Sequence, residues 1–395
     1  MQATLTRLGS KLPFREAIEE VWYSHQTAVA EATCRRVTYR HGQAAEALVN
    51  LEVARLEKEG LDEQPGPEKL LISADGSFIR LTSGEWREVK GLAVGEFETE
   101  YKAPGAVGQV KTKKLSYFTR SYQVRDFETY ALAELARRGF DQAATVVAVN
   151  DGAKWLQSFI DYHCPKAVRI LDFAHALGHI AEAGKAVLGE TNPDFKPWFE
   201  HCAHQLKHEP PQRTLAELSL LQPKAKREEQ AAVLHGTQAY LQHRFEMIDY
   251  PYFQRRGYPI GSGSVESAHK QVVQRRLKGA GMRWAAHHVD PLLALRDLLS
   301  NGRWNEGWRD IVAFQQQQQR EKLQRRALAK QPLPTSPATS TACEETGLPP
   351  QIAYALDRIP ATPSKKKRDP KDHPWRRGLW PTKESWRWSK TSQQK

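Results

Sequence analysis

The spacing of apolar positions changes from a helical to a strand pattern about seventy residues into the chain. Over 14–60 apolar side chains recur every three or four positions, which predicts helices, the last of them ending at Gly60. A short helix, a turn and a second helix carrying Arg35 and Arg36 form the pattern of a helix-turn-helix DNA-binding unit. A plain helical hairpin would give the same pattern, so both interpretations stay open.

Apolar and polar residues alternate in the next part of the chain, which predicts strands. The expected order is three strands followed by alternating helices and strands: strands at 69–81, 85–97 and 114–122, a helix at 126–139, a strand at 145–149, a helix at 153–163, a strand at 167–173 and a helix from 174. Hairpin-connected strands followed by helix and strand alternation predict an α/β fold with a mixed five-stranded sheet flanked by helices. This is the strand order of the ribonuclease H-like fold, in which the first and fourth strands are neighbours.

The same pattern divides the chain into a core and three additions. The ribonuclease H-like core is expected at 69–189 and 256–312, after a helical N-terminal region at 1–68. Residues 190–255 are polar and helical with several prolines, so we expect an α-helical insertion into the core. Residues 313–395 contain a pentaglutamine, a Pro/Ser/Thr-rich stretch and a lysine run, which predict a basic and mostly disordered tail.

The charge balance points to a polyanionic partner. The net charge is +12, and residues 365–395 hold eleven Lys/Arg against three Asp/Glu, so most of the excess lies in the tail. Excess basic charge of this kind favours binding to nucleic acid, although a solvated tail would look similar. No apolar run approaches the ~18 residues of a membrane helix, and the four cysteines are too scattered for a disulfide framework. We expect a cytoplasmic protein that does not enter a membrane.

Three acidic residues stand at places where a fold delivers side chains to a site. Asp75 lies in SADGSF of the first strand, Asp151 lies in VNDGAK at the end of the fourth, and Glu266 begins a helix after PIGSGS. The carboxyl ends of strands in open α/β sheets form ligand crevices. Each acid also has a structural explanation: Asp151 could cap the next helix, and Glu266 could offset a helix dipole.

Three carboxylates brought together would need a cation. Clustered carboxylates repel one another unless a hard cation compensates them, and Mg²⁺ or Mn²⁺ prefers oxygen ligands. Two such ions about 3.5–4 Å apart can clamp the attacking and leaving oxygens of a phosphodiester. The sequence therefore predicts Asp75, Asp151 and Glu266 as catalytic ligands of two Mg²⁺ or Mn²⁺ ions. Basic residues after Glu266 are expected to hold DNA phosphates, namely Lys270, Arg275, Arg276, Lys278 and Arg283.

Four motifs together resemble a known family. They are SADGSFIRLTSGEWREVKG, VNDGAKW, LDFAH and PIGSGSVESAHKQVVQRRLKGAGMRW, and the last is the most specific. They are similar to the ISKra-type bacterial insertion-sequence transposases of the DDE superfamily, over roughly residues 70–310. The resemblance implies that Asp75, Asp151 and Glu266 are the metal-binding triad of a DNA transposase. It also implies that Asp172 and His175 form the Asp-x-x-His signature of related transposases.

The resemblance sets further expectations. His175 would support the metal site or contact DNA, with a structural histidine as the alternative, and Arg376 and Arg377 lie in a tail motif that could contact DNA. The substrate would be double-stranded DNA at element ends and target, bound by a homodimer or a higher oligomer. Family members often carry a longer, cysteine-rich N-terminal region, so this chain is expected to be shortened. A structure-selective nuclease and a non-catalytic DNA-binding protein derived from a transposase remain as alternatives.

Overall fold

The chain folds around one mixed sheet of five strands. The computed structural model describes residues 1–61, 65–100 and 108–328. The strands are β1 (Lys69–Arg80), β2 (Trp86–Glu100), β3 (Gln109–Arg120), β4 (Thr145–Asn150) and β5 (Val168–Leu171). They are ordered β3-β2-β1-β4-β5 across the sheet. Strands β1 to β3 pair antiparallel, and β4 and β5 run parallel to β1. The predicted α/β architecture is confirmed at this level, including the contact between the first and fourth strands.

Helices cover both faces of the sheet and extend beyond it. In chain order they are α1 (Gln2–Lys11), α2 (Phe14–His25), α3 (Glu31–Glu59), α4 (Val124–Arg137), α5 (Lys154–His163), α6 (Phe173–Leu188), α7 (Phe195–His208), α8 (Pro211–Ser219), α9 (Glu228–Gln242), α10 (Tyr250–Arg255), α11 (Gly263–Ala268), α12 (Arg275–Leu277), α13 (Ala286–Ser300) and α14 (Trp304–Leu328). A π-helical turn, His269–Gln274, joins α11 to α12 without a break. No helix in the described part of the chain is long and apolar enough to cross a bilayer.

Alternate side chains along β1 and β4 point into two different apolar cores, one on each face of the sheet. Leu70, Ile72 and Ala74 of β1 belong to a core that also contains the inner residues of α4 and α5. Leu71 points to the opposite face, where the core is shared with α6 and with the helices of residues 195–255. Because successive side chains of a strand point to opposite faces, one apolar strand can serve both cores. The buried run of β4 follows the same rule, with Ala148 in the first core and Val147 in the second.

The N-terminal helices differ from the sequence expectation. Helix α1 was not predicted, and α3 runs unbroken through Gly42 to Glu59. At Gly42, α3 is crossed closely by α13: a Cβ at this position would lie 2.4 Å from the carbonyl oxygen of Pro291. Gly42 therefore allows α3 and α13 to pack closely. Whether α2 and α3 act as a helix-turn-helix stays a prediction.

The segment after residue 313 begins as a helix and not as disordered chain. Helix α14 continues through the pentaglutamine to Leu328, so the expectation of disorder is wrong for 313–328. Trp304 and Ile311 pack in a core with residues of α3 and α13, which holds the start of this helix against the fold. Arg376 and Arg377 lie outside the described residues.

Candidate active site

Asp75 and Asp151 lie at adjacent positions of the sheet because their strands are neighbours. Asp75 is within β1, opposite Gly91 of β2, and its side chain is 37% exposed. Asp151 directly follows β4, which pairs parallel with β1. Asn150 is buried, and its side-chain oxygen accepts a hydrogen bond of 2.8 Å from the backbone N–H of Ala74 in β1. The end of β4 is thereby fastened to β1, next to Asp75.

Asp151 accepts a hydrogen bond just before α5, but it is not the N-cap of that helix. Its Oδ1 accepts a hydrogen bond of 2.8 Å from the N–H of Ala153, which closes a turn ahead of α5. The N-cap position itself is Ala153, and no side chain caps this helix. Asp151 therefore uses one carboxylate oxygen in a turn. The other oxygen is the one that could meet a ligand.

Charge interactions link Asp75, Asp151 and His175. Burial raises the pKa of Asp75; the backbone N–H of Gly76 lowers it, the charge of Asp151 raises it, and His175 lowers it. The pKa of His175 is raised, first by its hydrogen bond to Asp172 and then, against the effect of burial, by the charges of Asp151, Asp172 and Asp75. The charge of Asp151 thus acts on Asp75, and repulsion between two carboxylates is the condition that a cation relieves.

Asp172 has a different task, since both its oxygens are occupied by backbone donors. Oδ1 accepts from the N–H of His175, capping α6, at 2.8 Å, and Oδ2 accepts from the N–H of Ser262 at 2.7 Å. Burial would raise the pKa of Asp172, but the His175 side chain, and then the backbone N–H groups of Ser262 and His175, lower it to about 2. The N–H of Phe173 also donates to the carbonyl of Ile260 at 2.9 Å. Asp172 therefore fastens the PIGSGS loop, which starts α11, to the end of β5.

Glu266 stands apart from the other two acids in its contacts. Helix α11 packs against β1 and β2, but the Glu266 side chain is 60% exposed and its carboxylate faces the ammonium of Lys270 at 3.8 Å. Among the described residues, no three His, Cys, Asp or Glu side chains are close enough together to hold a metal ion. The structure brings Asp75, Asp151 and His175 into one neighbourhood, and membership of Glu266 in a triad stays a prediction.

His269 is a residue of this site that the sequence analysis missed. It follows Glu266 by three positions, and its imidazole Nε2 lies 3.8 Å from Oδ2 of Asp75. Burial lowers its pKa to about 4, partly opposed by the nearby Asp75 backbone. The only signal in the sequence was its position on the same face of a helix as Glu266.

The chain matches no protein-family model and no curated protein.

The helical insertion also contributes to the site. The Tyr240 hydroxyl of α9 donates to the carbonyl of Asp151, and the Arg244 guanidinium donates to the carbonyl of Gly152, both at 2.7 Å. Gly152 has φ +80°, and a Cβ there would lie 2.6 Å from Nε of Arg244, so only glycine fits this turn without a shift. Residues of the insertion thus hold the turn that carries Asp151.

One of the basic residues after Glu266 is buried, and the others are exposed. Arg275, Lys278 and Arg283 are exposed, as contact with phosphate requires. Arg276 is only 2% exposed, and its guanidinium lies between the rings of Phe14 and Trp284, at 4.8 and 4.9 Å from their centroids. Its Nε donates to the carbonyl of Gly9. The prediction that Arg276 contacts DNA is wrong for this structure, because the residue joins α12 to the N-terminal helices.

A second basic surface lies on α3. A groove of about 750 Å³ runs along this helix beside His288 of α13, and it is lined by Arg35, Arg36 and Arg40. Tyr39 stacks on His288 at 3.7 Å between ring centroids and forms part of the wall. Arg35 pairs with Glu31 at 2.5 Å, whereas Arg36 is an exposed cation. The predicted DNA-contacting positions 35 and 36 are thus accessible.

Proposed function

We propose that the protein is a DNA transposase that cleaves the ends of an insertion sequence and joins the exposed 3′-hydroxyl to target DNA. The observation that carries this is the shared neighbourhood of Asp75 and Asp151 at the meeting of β1 and β4. The strand order β3-β2-β1-β4-β5 is compatible with a ribonuclease H-like fold, which the proposal assumes. The motif resemblance to ISKra-type transposases adds support.

The donor set at this position fits a divalent cation. Asp75 and Asp151 offer carboxylate oxygens, and Mg²⁺ is commonly held by one or two carboxylates together with substrate phosphates. Two Mg²⁺ or Mn²⁺ ions, when bound, supply Lewis-acid stabilisation of the attacking and departing oxygens of the phosphodiester. Glu266 is the third proposed ligand. In the absence of DNA it pairs with Lys270, so it would have to leave that partner.

The basic residues around the acids are proposed to hold the DNA phosphates. His175 carries a raised pKa, which favours its imidazolium form, and this cation can meet a phosphate beside the acids. Exposed Lys270, Arg275, Lys278 and Arg283 follow Glu266 along the chain and supply sequence-independent phosphate contacts. Arg35 and Arg36 provide a second contact on α3. Because an element has two ends to be brought together, we propose a homodimer or a higher oligomer on double-stranded DNA.

One assay separates this function from its alternatives. The full chain is incubated with Mn²⁺, a supercoiled plasmid and a labelled oligonucleotide with a free 3′-hydroxyl; nicked plasmid reports hydrolysis, and labelled plasmid reports joining. We expect both products. The variants Asp75→Asn, Asp151→Asn and Glu266→Gln should form neither product while keeping DNA affinity. The control is Asp161→Asn, which should behave as wild type; Asp161 lies on α5 and pairs with Arg169 of β5.

Each other outcome points elsewhere. Nicking without labelled plasmid would indicate a structure-selective nuclease, in which water is the nucleophile. Salt-dependent plasmid binding with neither product would indicate a non-catalytic DNA-binding protein, an alternative that the exposure of Glu266 favours. Near-normal activity of any one variant would remove that acid from the triad.

A further inference from the structure

The imidazole of His269 is buried beside Asp75 without a hydrogen-bond partner. His269 is 4% exposed, and among the described residues neither Nδ1 nor Nε2 has a partner with hydrogen-bond geometry. A neutral imidazole always carries one N–H donor and one acceptor nitrogen. Buried polar groups in folded proteins are nearly always hydrogen-bonded, so an unsatisfied one calls for an explanation.

The polar atom that Nε2 faces belongs to the first proposed metal ligand. Oδ2 of Asp75 lies 3.8 Å from Nε2, about 1 Å beyond the length of a good hydrogen bond. Oδ1 of the same carboxylate already accepts the N–H of Gly76 at 2.6 Å. Of the two carboxylate oxygens, Oδ2 is therefore the one that His269 can reach.

The sheet is shaped to admit this ring. Gly91 of β2 is the residue paired with Asp75, and a Cβ at position 91 would lie 2.9 Å from Cε1 of His269. Any side chain larger than hydrogen at Gly91 would push the imidazole. The absence of a side chain opposite Asp75 thus creates the space that the imidazole fills.

The backbone that carries His269 is also unusual. His269 is the first residue of the π-helical turn between α11 and α12. Turns of this kind are rare and occur frequently at functional sites. Val272 and Val273 of the same turn are buried in the core formed with Ile79 and Val89, so the turn is anchored over β1 and β2.

We propose that His269 is a positioning residue for Asp75, in which the imidazole Nε2–H donates a hydrogen bond to the Asp75 carboxylate once a divalent cation is bound. The bond fixes which carboxylate oxygen faces the cation. Metal-ligating carboxylates are generally held by hydrogen bonds of this kind, and loss of such a partner typically weakens metal affinity about 10- to 100-fold. This inference rests on the proposed function, since it requires Asp75 to be a ligand.

The test measures Mn²⁺ affinity of the full chain without DNA, by electron paramagnetic resonance of free Mn²⁺. His269→Leu keeps an apolar side chain in the pocket but has no donor, and we expect it to bind Mn²⁺ about 10- to 100-fold more weakly than wild type. His269→Gln offers an amide N–H near the position of Nε2 and should restore most of the affinity. His201→Leu, at a histidine of α7 with a 55% exposed side chain, is the matched control and should bind as wild type.

A second variant tests the geometry without changing a polar group. Gly91→Ala places a methyl group against Cε1 and should displace the ring from Asp75, weakening Mn²⁺ binding in the same direction. Gly236→Ala, where a Cβ would meet nothing within 4 Å, is its control. Thermal unfolding of each variant identifies any that fail to fold; if His269→Leu is one of them, Gly91→Ala and His269→Gln decide the matter.

The outcomes distinguish this inference from the proposed function. If Asp75→Asn loses Mn²⁺ binding while His269→Leu and Gly91→Ala bind as wild type, the role of His269 is refuted and the metal site stands. If His269→Gln binds as weakly as His269→Leu, the imidazole acts through packing alone and the proposal is also refuted. If wild type binds no Mn²⁺, or Asp75→Asn binds it equally well, the metal site fails and the proposal fails with it.

Discussion

Replacing Asp172 with asparagine should loosen the attachment of the PIGSGS loop to the sheet. In the folded protein the pKa of Asp172 falls from the ordinary value of 3.8 to about 2. That difference corresponds to about 2 kcal/mol of stabilisation of the ionised form. The asparagine oxygen can still cap α6, because Asn and Asp are comparable N-caps. Its NH₂ group, however, would face the N–H of Ser262, and two donors cannot bond to each other.

The pH dependence of this loss has a defined sign. Because the pKa is depressed in the folded state, the stabilisation by Asp172 is fully present above the unfolded pKa and is lost as the pH falls through the folded pKa. The difference in unfolding free energy between wild type and Asp172→Asn should be about 2 kcal/mol at pH 7 and about 1 kcal/mol at pH 3. His175, whose pKa Asp172 raises, adds stabilisation in wild type as the pH falls from 7, so the comparison between pH 5 and pH 3 is the one that isolates this carboxylate.

Urea unfolding at pH 7, 5 and 3 measures the global effect, and hydrogen exchange of the amides in 258–265 measures the local one. Where exchange occurs by local opening, about 2 kcal/mol corresponds to roughly 30-fold faster exchange in the variant. Asp249→Asn is the matched control, because Asp249 caps α10 through one bond to the N–H of Tyr252 and holds no loop. Equal stability of wild type and Asp172→Asn at pH 7, or a difference that grows between pH 5 and pH 3, would refute the reasoning.

Three further predictions concern packing. Arg276→Met should lower the unfolding free energy by about 2 kcal/mol through lost ring and carbonyl contacts, while Arg275→Met, at an exposed residue, should change it by less than about 0.5 kcal/mol; urea unfolding compares them. Asp297 pairs with the buried guanidinium of Arg120 at 2.7 Å. Asp297→Ala removes this carboxylate and should lower the unfolding free energy by about 3–5 kcal/mol, again measured by urea unfolding. A much smaller loss would show that the pair does not stabilise the fold. Gly42→Ala should cost about 1–3 kcal/mol in thermal unfolding, whereas Gly178→Ala, in open space, should not destabilise.

The sheet could be predicted from the sequence because its information is local. Alternation in β1 and β2 and the continuous apolar run of β4 reflect which side chains each strand buries, and a short stretch is enough to read them. Once the strand order places β1 beside β4, Asp75 and Asp151 become neighbours. The core expected at 69–189 matches the strands observed there, although the limits of the domains remain a prediction.

The rest depends on contacts between distant segments. Arg276 was assigned to DNA by its charge, yet Phe14 and Trp284 enclose it, and no local pattern brings those three residues together. Gly42 lies inside α3, and its role is set by the close approach of α13, which no local pattern shows. His269 was missed because a histidine in a helix has no signature until Gly91 is seen to lie opposite Asp75.

Side chains from distant segments hold the backbone that carries the acids of the site. Tyr240 and Arg244 hold the turn of Asp151 from the helical insertion, more than eighty residues further along the chain, and Asp172 holds the loop that begins α11. These attachments fix the starting points of two acid-bearing segments while leaving the Glu266 side chain exposed. Because the loop before α11 and the π-helical turn after it are both anchored, the exposed side chain of Glu266 is the part of this segment that is left free to turn towards a ligand.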